Sequence, residues 1–236
     1  MGQIRHHIVW LALILGSVEG YSADFFTAAN GFFAKYVKEG QVAYASLHEN
    51  PASLEELVRT IAAFDLKSAD DGTKKAFMIN AYNILAIKGI IDHYPAKSPL
   101  KINNFFDAKV YTVAGEKLSL NQLEKERLYP FANDPRLHFV LVCAAVSCPK
   151  LASFAYTPQD VEEQVEEQTK TTLNDGEFIK VKGSKVELSE IFRWYEKDFK
   201  KDGKSVLAFI NTYREEKFPV KTRVGYYTYT WNLNTQ

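Results

Sequence analysis

Apolar and polar positions follow helical spacing through the first part of the chain. Residues 22–40 place their aromatic side chains on one face, which predicts an amphipathic helix. Ser53 and Glu56 match a capping box, which predicts the start of a second helix. Residues 73–94 are apolar nearly all round and stop before Pro95, which predicts a central, buried helix. The predicted inward side chains of the first helix are Phe25, Phe26, Phe32, Phe33 and Tyr36.

Strand-like segments and shorter helices alternate irregularly in the second half of the chain. Segments 109–120 and 177–188 each predict a hairpin, whereas 137–143 and 224–234 predict single strands. Further helices are predicted at 157–173, 189–199 and 205–213. Because strands and helices do not alternate as in βαβ units, we predict an α+β fold with helices packed on a small, mostly antiparallel sheet.

The N-terminal pattern predicts a secretory signal peptide over residues 1–20. Arg5 supplies the positive charge, 8–15 form a short apolar run, and Val18 and Gly20 suit the cleavage site. We therefore expect an exported protein, periplasmic or extracellular, with one globular domain over 21–236. The alternative is an uncleaved amphipathic anchor. After cleavage we expect no stable membrane insertion, because no later segment has the composition of a membrane span.

Charge balance narrows the expected partners. The chain has 29 Lys and Arg residues against 29 Asp and Glu residues, so no basic excess indicates nucleic-acid binding. We expect no cofactor, and a small-molecule or peptide-like ligand is the expected partner. The oligomeric state is left open.

The stretch 134–151 contains both cysteines of the chain and one histidine. His138, Cys143 and Cys148 fall at steps of five. If 137–143 is a strand, His138 and Cys143 point to opposite faces, which argues against a metal site built on them. A disulfide between the two cysteines fits the exported compartment. Alternatively, both thiols are small core side chains and His138 bonds the backbone.

A reactive thiol at position 148 is another reading of the same stretch. Pro149 suits the first position of a helix, where N–H groups and the helix dipole favour a thiolate on Cys148. His138 could then act as its base, and Asn80, Asn83 or Glu124 could orient the imidazole or donate to an oxyanion. On this reading Cys148 is the accessible cysteine and Cys143 is a packing residue. Glu124 lies on a short helix that Ser119 begins.

Two amides interrupt the predicted central helix. Asn80 and Asn83 lie one turn apart on the same face, and buried amides require hydrogen-bond partners. They either form a structural network or line a pocket beside the cysteine turn. We also predict that Trp194 is offset from the buried stripe of its helix, so that its ring could form a wall of that pocket.

Four ordered motifs resemble the domain-of-unknown-function family 547, with a family-like core over about 50–234. The motifs are "AFMINAYNILAIKGIIDHYP", "LSLNQLEKERL", "DPRLHFVLVCAAVSCPKL" and "LSEIFRWYEKDF", and the final "YTWNLN" resembles that family's C-terminal strand. The resemblance implies no chemistry. Ala144 departs from the family pattern, which often has Gly after the first Cys. The matching positions are Asn80, Tyr82, Asn83, Glu124, His138, Cys143, Cys148, Trp194, Tyr195 and Asp198.

The sequence thus predicts an exported α+β domain with a polar pocket around His138 and Cys148. The expected activity is thiol-based hydrolysis or acyl transfer on a peptide-like substrate. The predicted catalytic residues are Cys148, His138 and Glu124, and the predicted binding residues are Asn80, Asn83, Tyr82, Ser147 and Trp194. The alternative is a non-catalytic module that binds a small polar ligand or a protein partner through the same pocket.

Overall fold

A computed structural model describes the backbone of residues 18–236 and the side chains of 25–201 and 203–236. Nearly all of the predicted signal peptide, residues 1–20, lies outside the described residues. The first helix, α1, begins at Val18. Among the described residues, no helix is long and apolar enough to cross a membrane.

Helices make up most of the regular secondary structure of the described residues. The longer ones are α1 (Val18–Tyr36), α2 (Tyr44–Glu49), α3 (Ala52–Ala63), α4 (Asp71–Ile91), α7 (Val161–Asn174) and α10 (Val206–Tyr213). The short ones are α5 (Leu120–Gln122), α6 (Tyr129–Ala132), α8 (Ile191–Trp194) and α9 (Glu196–Phe199). A π-helical segment, Leu123–Leu128, joins α5 to α6. Two short 3-10 turns, Pro99–Lys101 and Lys201–Gly203, lie between the longer elements.

Helix α4 is the centre of the core, as the sequence predicts. Its N-cap is Asp70, whose side chain accepts a hydrogen bond from the Thr73 N–H, and the helix is buried on every face along most of its length. Two phenylalanines of neighbouring elements pack on Phe77: Phe25 from α1 at 5.2 Å and Phe64 after α3 at 4.1 Å between ring centroids. Such burial and ring packing hold the helix in a single position.

The strands form three small sheets rather than one. Strands β1 (Val37–Lys38) and β2 (Gln41–Val42) pair antiparallel, as do β3 (Tyr111–Val113) and β4 (Glu116–Leu118). The third sheet has the order β5-β6-β7, with β5 (Lys180–Lys182) antiparallel to β6 (Lys185–Leu188) and β7 (Arg223–Tyr226) parallel to β6. The α+β fold and both predicted hairpins are confirmed.

The predicted strand at 137–143 is wrong. The segment begins with a 3-10 helix, Pro135–Phe139, which Asp134 caps by accepting from the Arg136 N–H. Its apolar side chains are buried, but side-chain amides rather than a neighbouring strand satisfy part of its backbone. Asn83 donates to the Val140 carbonyl at 2.9 Å and accepts from the Val142 N–H at 2.9 Å.

Three other local predictions need correction. Of the predicted strand 224–234, only the part within β7 is a strand, which ends at Tyr226. Helix α3 has Pro51 at its N-cap with no side-chain cap, so Ser53 lies inside the helix and the predicted capping box is absent there. The predicted helix 189–199 is split at Tyr195 into α8 and α9. That break turns Tyr195 toward the pocket described next, where its ring stacks on a histidine.

Candidate functional site

A partly open cavity of about 260 Å³ lies between α4, the π-helical segment, the 134–149 stretch, α8 and the C-terminal segment. Its walls are largely aromatic, and its polar groups are few. The aromatic lining residues are Tyr82, Phe106, Trp194, Tyr195, Tyr229 and Trp231. The polar and charged ones are Asn121, Glu124, Lys125 and His138. Mostly apolar walls with a few convergent polar groups are typical of small-ligand sites.

His138 is fixed in the wall by contacts on several sides. Its Nε2 lies 2.9 Å from Oδ2 of Asp198, and its ring stacks on Tyr195 with centroids 4.0 Å apart. Phe199 lies against the same ring at 5.3 Å. The hydrogen bond from the imidazole and the imidazole's charge hold the pKa of Asp198 below its usual value, in that order of size. Because Asp198 engages Nε2, Nδ1 is the nitrogen that can act on a ligand.

Glu124 is a buried carboxyl on the same cavity wall. It is 8% exposed, and this burial raises its pKa despite the opposing effects of His138 and Lys125. Tyr82, on α4, lines the same cavity, and burial together with the charge of Glu124 raises the Tyr82 pKa well above its usual value. Perturbed carboxyls that face a cavity cluster at functional sites.

The two cysteines are joined by a disulfide that forms part of the cavity wall. The predicted free thiolate at Cys148 is therefore absent in this oxidised form. The predicted difference in accessibility is also reversed, since Cys148 is 8% exposed whereas Cys143 is half-buried. The metal reading fails for these cysteines because their sulfurs bond each other. Among the described residues, no group of three or more His, Cys, Asp and Glu side chains could hold a metal ion.

Two hydrogen-bond donors face the sulfur of Cys148. The Cys143 N–H donates to it at 3.1 Å, and the Tyr229 hydroxyl donates to it at 3.1 Å. The same hydroxyl lies 3.1 Å from the sulfur of Cys143. Sulfur in a disulfide is a weak acceptor, whereas a thiolate in the same place would be a strong one.

An aromatic platform forms the rim. Trp194 and Trp231 stack with centroids 5.8 Å apart, and Tyr229 contacts both rings at 4.9 and 4.8 Å. Trp194 is 48% exposed, as its offset from the buried stripe of α8 and α9 predicts. Exposed large aromatic surface beside a cavity indicates a place where a ligand packs.

The two amides of α4 do not line this cavity, so the hypothesis that they line a pocket beside the cysteine turn is wrong. Asn80 donates to the Tyr156 carbonyl at 2.8 Å and accepts from the Tyr156 N–H at 3.0 Å. Asn83 makes the equivalent pair with Val140 and Val142. Both side chains are buried. Each makes the backbone hydrogen bonds that a neighbouring strand would otherwise make to a segment crossing α4, so their role is structural.

Ser147 was predicted in the same pocket, but it lines a different cavity. That second cavity, of about 240 Å³, adjoins the disulfide loop. The Ser147 hydroxyl accepts from the Thr230 N–H at 2.8 Å, and Lys150 pairs with Asp175 at 2.8 Å nearby. Cys148 and Pro149 line both cavities.

Several residues in the lining of the first cavity, or in contact with it, had no role predicted from the sequence. Asp198 matched only as a motif position, and its pairing with His138 depends on the break at Tyr195. Tyr229 and Trp231 lie in the C-terminal segment, which was predicted only as a strand. Their alternate spacing, two residues apart, was the available signal that both face the same side.

The fold and site together define an α+β protein with an aromatic-walled pocket that contains a His–Asp pair, a buried carboxyl and a disulfide. Residues 66–173 match the family described as "Protein of unknown function, DUF547". This match confirms the family resemblance for that segment. No curated protein and no solved structure matches the chain.

Proposed function

We propose that the pocket hydrolyses, or transfers the acyl group of, a small peptide-like substrate by acid–base chemistry. The observation that supports this most is that His138, held by Asp198, shares one cavity wall with the buried carboxyl of Glu124. A base and an acid with different environments in one cleft are what such reactions require. The thiol nucleophile expected from the sequence has no part in this oxidised form.

In this proposal His138 is the base and Glu124 is the acid. Nδ1 of His138 takes the proton of a water molecule or an acceptor hydroxyl, whose oxygen attacks the acyl carbon. The protonated Glu124 carboxyl gives its proton to the leaving group as the acyl bond breaks. Burial raises the Glu124 pKa, which favours the protonated form that this role needs.

The aromatic rim supports a substrate with a flat or apolar portion. Trp194, Tyr195 and Trp231 offer ring faces beside the polar wall, so the apolar portion packs there while the acyl group reaches His138. A cavity of about 260 Å³ suits a compound of one or two amino-acid residues rather than a folded protein surface.

Hydrolysis of two chromogenic probes tests the proposal. With the purified full chain, p-nitrophenyl acetate and alanine p-nitroanilide represent an ester and a peptide-like amide. We expect His138→Gln, Asp198→Asn and Glu124→Gln each to lower kcat/KM on the order of 100-fold, the usual contribution of an acid–base group. Glu126→Gln and His48→Gln, at exposed positions outside the cavity, are the matched controls. Native-like rates in all three pocket variants would overturn the proposal.

The second candidate is a non-catalytic binding module. The stacked and half-exposed Trp194 favours it, because such a rim serves binding without any chemistry. Fluorescence titration with alanine p-nitroanilide discriminates the two candidates. Quenching that saturates without release of p-nitroaniline supports the binding module, whereas release that depends on His138 supports the enzyme.

A further inference from the structure

We propose that the Cys143–Cys148 disulfide is a redox site that oxidises substrate thiols entering the aromatic pocket. This activity goes beyond the hydrolysis proposed above, because that reaction uses neither sulfur. Both cysteines line the cavity, although Cys148 is itself only 8% exposed. The substrate class is a thiol small enough for that cavity.

The two sulfurs have different surroundings, which assigns them different roles. Cys143 is half-buried, whereas Cys148 is 8% exposed, so an incoming thiolate reaches the sulfur of Cys143 more easily. The sulfur of Cys148 accepts from the Cys143 N–H and the Tyr229 hydroxyl, each at 3.1 Å. The same hydroxyl also lies 3.1 Å from the sulfur of Cys143, so the N–H is the donor that distinguishes Cys148. These donors stabilise negative charge, and a better-stabilised thiolate leaves faster in thiol–disulfide exchange.

The reaction has two exchange steps. In the first, a substrate thiol gives its proton to His138 and attacks the sulfur of Cys143. The disulfide breaks, its electron pair leaves on Cys148, and a mixed disulfide joins the substrate to Cys143. In the second, another substrate thiol gives its proton to the Cys148 thiolate and attacks the substrate sulfur of that mixed disulfide. This expels Cys143 as a thiolate, which takes the first proton back from His138.

The overall change is balanced. Two substrate thiols become one substrate disulfide, and the protein disulfide becomes two thiols, so two electrons and two protons pass from substrate to protein. His138 serves as the proton acceptor because it lies in the same wall and Asp198 holds its ring. Only five positions separate the two cysteines in the chain. Reduction of the disulfide therefore opens a short loop, which removes less stabilisation from the fold than opening a long one.

The reduction rate of the native disulfide is the primary test. N-acetylcysteine and the reduced peptide Ac-Cys-Gly-Gly-Cys-NH2 represent the two sources of thiol, a low-molecular-weight compound and a peptide. Samples are quenched with iodoacetamide, and mass spectrometry counts the protein thiols. We expect reduction of folded protein at a rate that sub-denaturing urea leaves unchanged. A rate that rises with urea in step with global unfolding identifies a structural disulfide and overturns the proposal.

Tyr229→Phe tests the stabilised leaving group, because it removes the hydroxyl and keeps the ring. We expect reduction about threefold slower or more, since exchange rates follow the pKa of the leaving thiol. Tyr226→Phe, in β7 and outside the cavity lining, is the matched control and should match the native rate. Equal rates for Tyr229→Phe and the native protein contradict stabilisation of the leaving thiolate by this hydroxyl, and the position of the mixed disulfide decides which cysteine leaves. Near-ultraviolet circular dichroism checks that the variants are folded.

The pH dependence separates a proton acceptor from a merely structural His138. The native protein should exceed His138→Gln at pH 7, and the ratio should approach one above about pH 9, where the substrate thiol is already ionised. A ratio that stays constant with pH overturns the base role. Acid quenching with limiting N-acetylcysteine followed by digestion should place the mixed disulfide on Cys143, and its appearance on Cys148 overturns the order of attack.

Failure of this inference is distinguishable from failure of the proposed hydrolysis. Release of p-nitrophenol from p-nitrophenyl acetate is measured on oxidised protein without added thiol. If the ester is cleaved but thiols are not oxidised in the folded state, only the redox inference fails. If thiols are oxidised and neither chromogenic probe is cleaved, the hydrolytic proposal fails alone.

Discussion

The imidazole Nε2 of His138 lies 2.9 Å from Oδ2 of Asp198, although 60 positions separate the two residues in the chain. The contact joins the 3-10 helix before the cysteine loop to α9, and Tyr195 stacks on the same imidazole from the break between α8 and α9. The orientation of the candidate base therefore depends on how the C-terminal third of the chain packs.

This contact predicts a pH-dependent part of stability. The folded-state pKa of Asp198 is lowered, first by the hydrogen bond to His138, so the carboxylate stabilises the fold above its unfolded pKa of about 3.9. That contribution is lost as pH falls through the lower folded pKa. Asp198→Asn should reduce the free energy of unfolding at pH 7 and flatten its fall between pH 5 and pH 3. Urea denaturation across this range is the measurement, and parallel curves for both proteins would contradict it.

Glu124 predicts a dependence of the opposite sign. Its pKa is raised by burial, so the folded state favours the protonated carboxyl and loses stability as pH rises from about 4.3 through the folded pKa. Glu124→Gln should therefore increase the free energy of unfolding at pH 7 and have little effect at pH 4. The exposed neighbour change Glu126→Gln should alter neither. A destabilised Glu124→Gln protein at pH 7 would show that the charged form is favoured.

The sequence predicted the parts of the fold in which one local signal dominates. Helix α4 was predictable because it is apolar all round, and the start of α5 at Ser119 was predictable because a helix cap is a local signal. The segment 137–143 was not, because its Val, Leu and Phe content indicates burial but does not determine backbone shape. Asn83 supplies the backbone partners that a strand neighbour would have supplied, and nothing within the segment indicates this.

The site was predictable only in part for the same reason. Glu124, His138 and Cys148 were expected in one pocket, and all three line the same cavity in the structure. The disulfide was one of several readings that the sequence left open. Asp198 and Tyr229 reach the site through long-range packing of the C-terminal third, which residue spacing near the cysteines does not encode.

Asn83→Leu should destabilise the protein more than a surface change does. It leaves the Val140 carbonyl and the Val142 N–H without a partner in a buried position. Each unsatisfied buried group costs about 1–3 kcal/mol. Asn80→Leu should act similarly through Tyr156. Urea denaturation measures the loss, with exposed Asn103→Leu as the control, and an unchanged midpoint would count against this role.

Ala144→Gly should stabilise the protein. Ala144 follows the first cysteine of the disulfide loop and has a φ of +61°, a left-handed conformation that costs a residue with a Cβ about 1–2 kcal/mol. Glycine adopts it without that cost, so we expect a gain on the order of 1 kcal/mol in the free energy of unfolding. Ala28→Gly, at an exposed position within α1, should instead lose about 1 kcal/mol. Thermal denaturation of both variants checks the difference in sign.

Trp194→Ala should weaken substrate binding with little effect on stability. The ring is 48% exposed and stacks on Trp231 at the rim, so its removal takes away contact area rather than core packing. We expect KM for p-nitrophenyl acetate to rise severalfold while kcat changes little, because the ring contacts the substrate equally in the ground state and in the transition state. Phe131→Ala, 41% exposed and outside the cavity lining, is the control. A lower melting temperature with unchanged KM would assign Trp194 to the core.

Replacing both cysteines by alanine should weaken the fold without abolishing it. The disulfide closes a loop of five positions, for which the chain-entropy relation gives about 2 kcal/mol. The paired substitutions should therefore lower the urea midpoint while near-ultraviolet circular dichroism stays native-like. A protein that no longer folds would mean that the cross-link organises more than its own loop.

The loop closed by the Cys143–Cys148 disulfide borders two cavities, because Cys148 and Pro149 line both of them. Ligand binding in one cavity can therefore be thermodynamically linked to ligand binding in the other. A compound that displaces this loop when it binds in one cavity changes the affinity of the second cavity for its own ligand. By reciprocity, a ligand in the second cavity changes the affinity of the first by the same factor. The rigidity of so short a cyclic segment determines how large that coupling is.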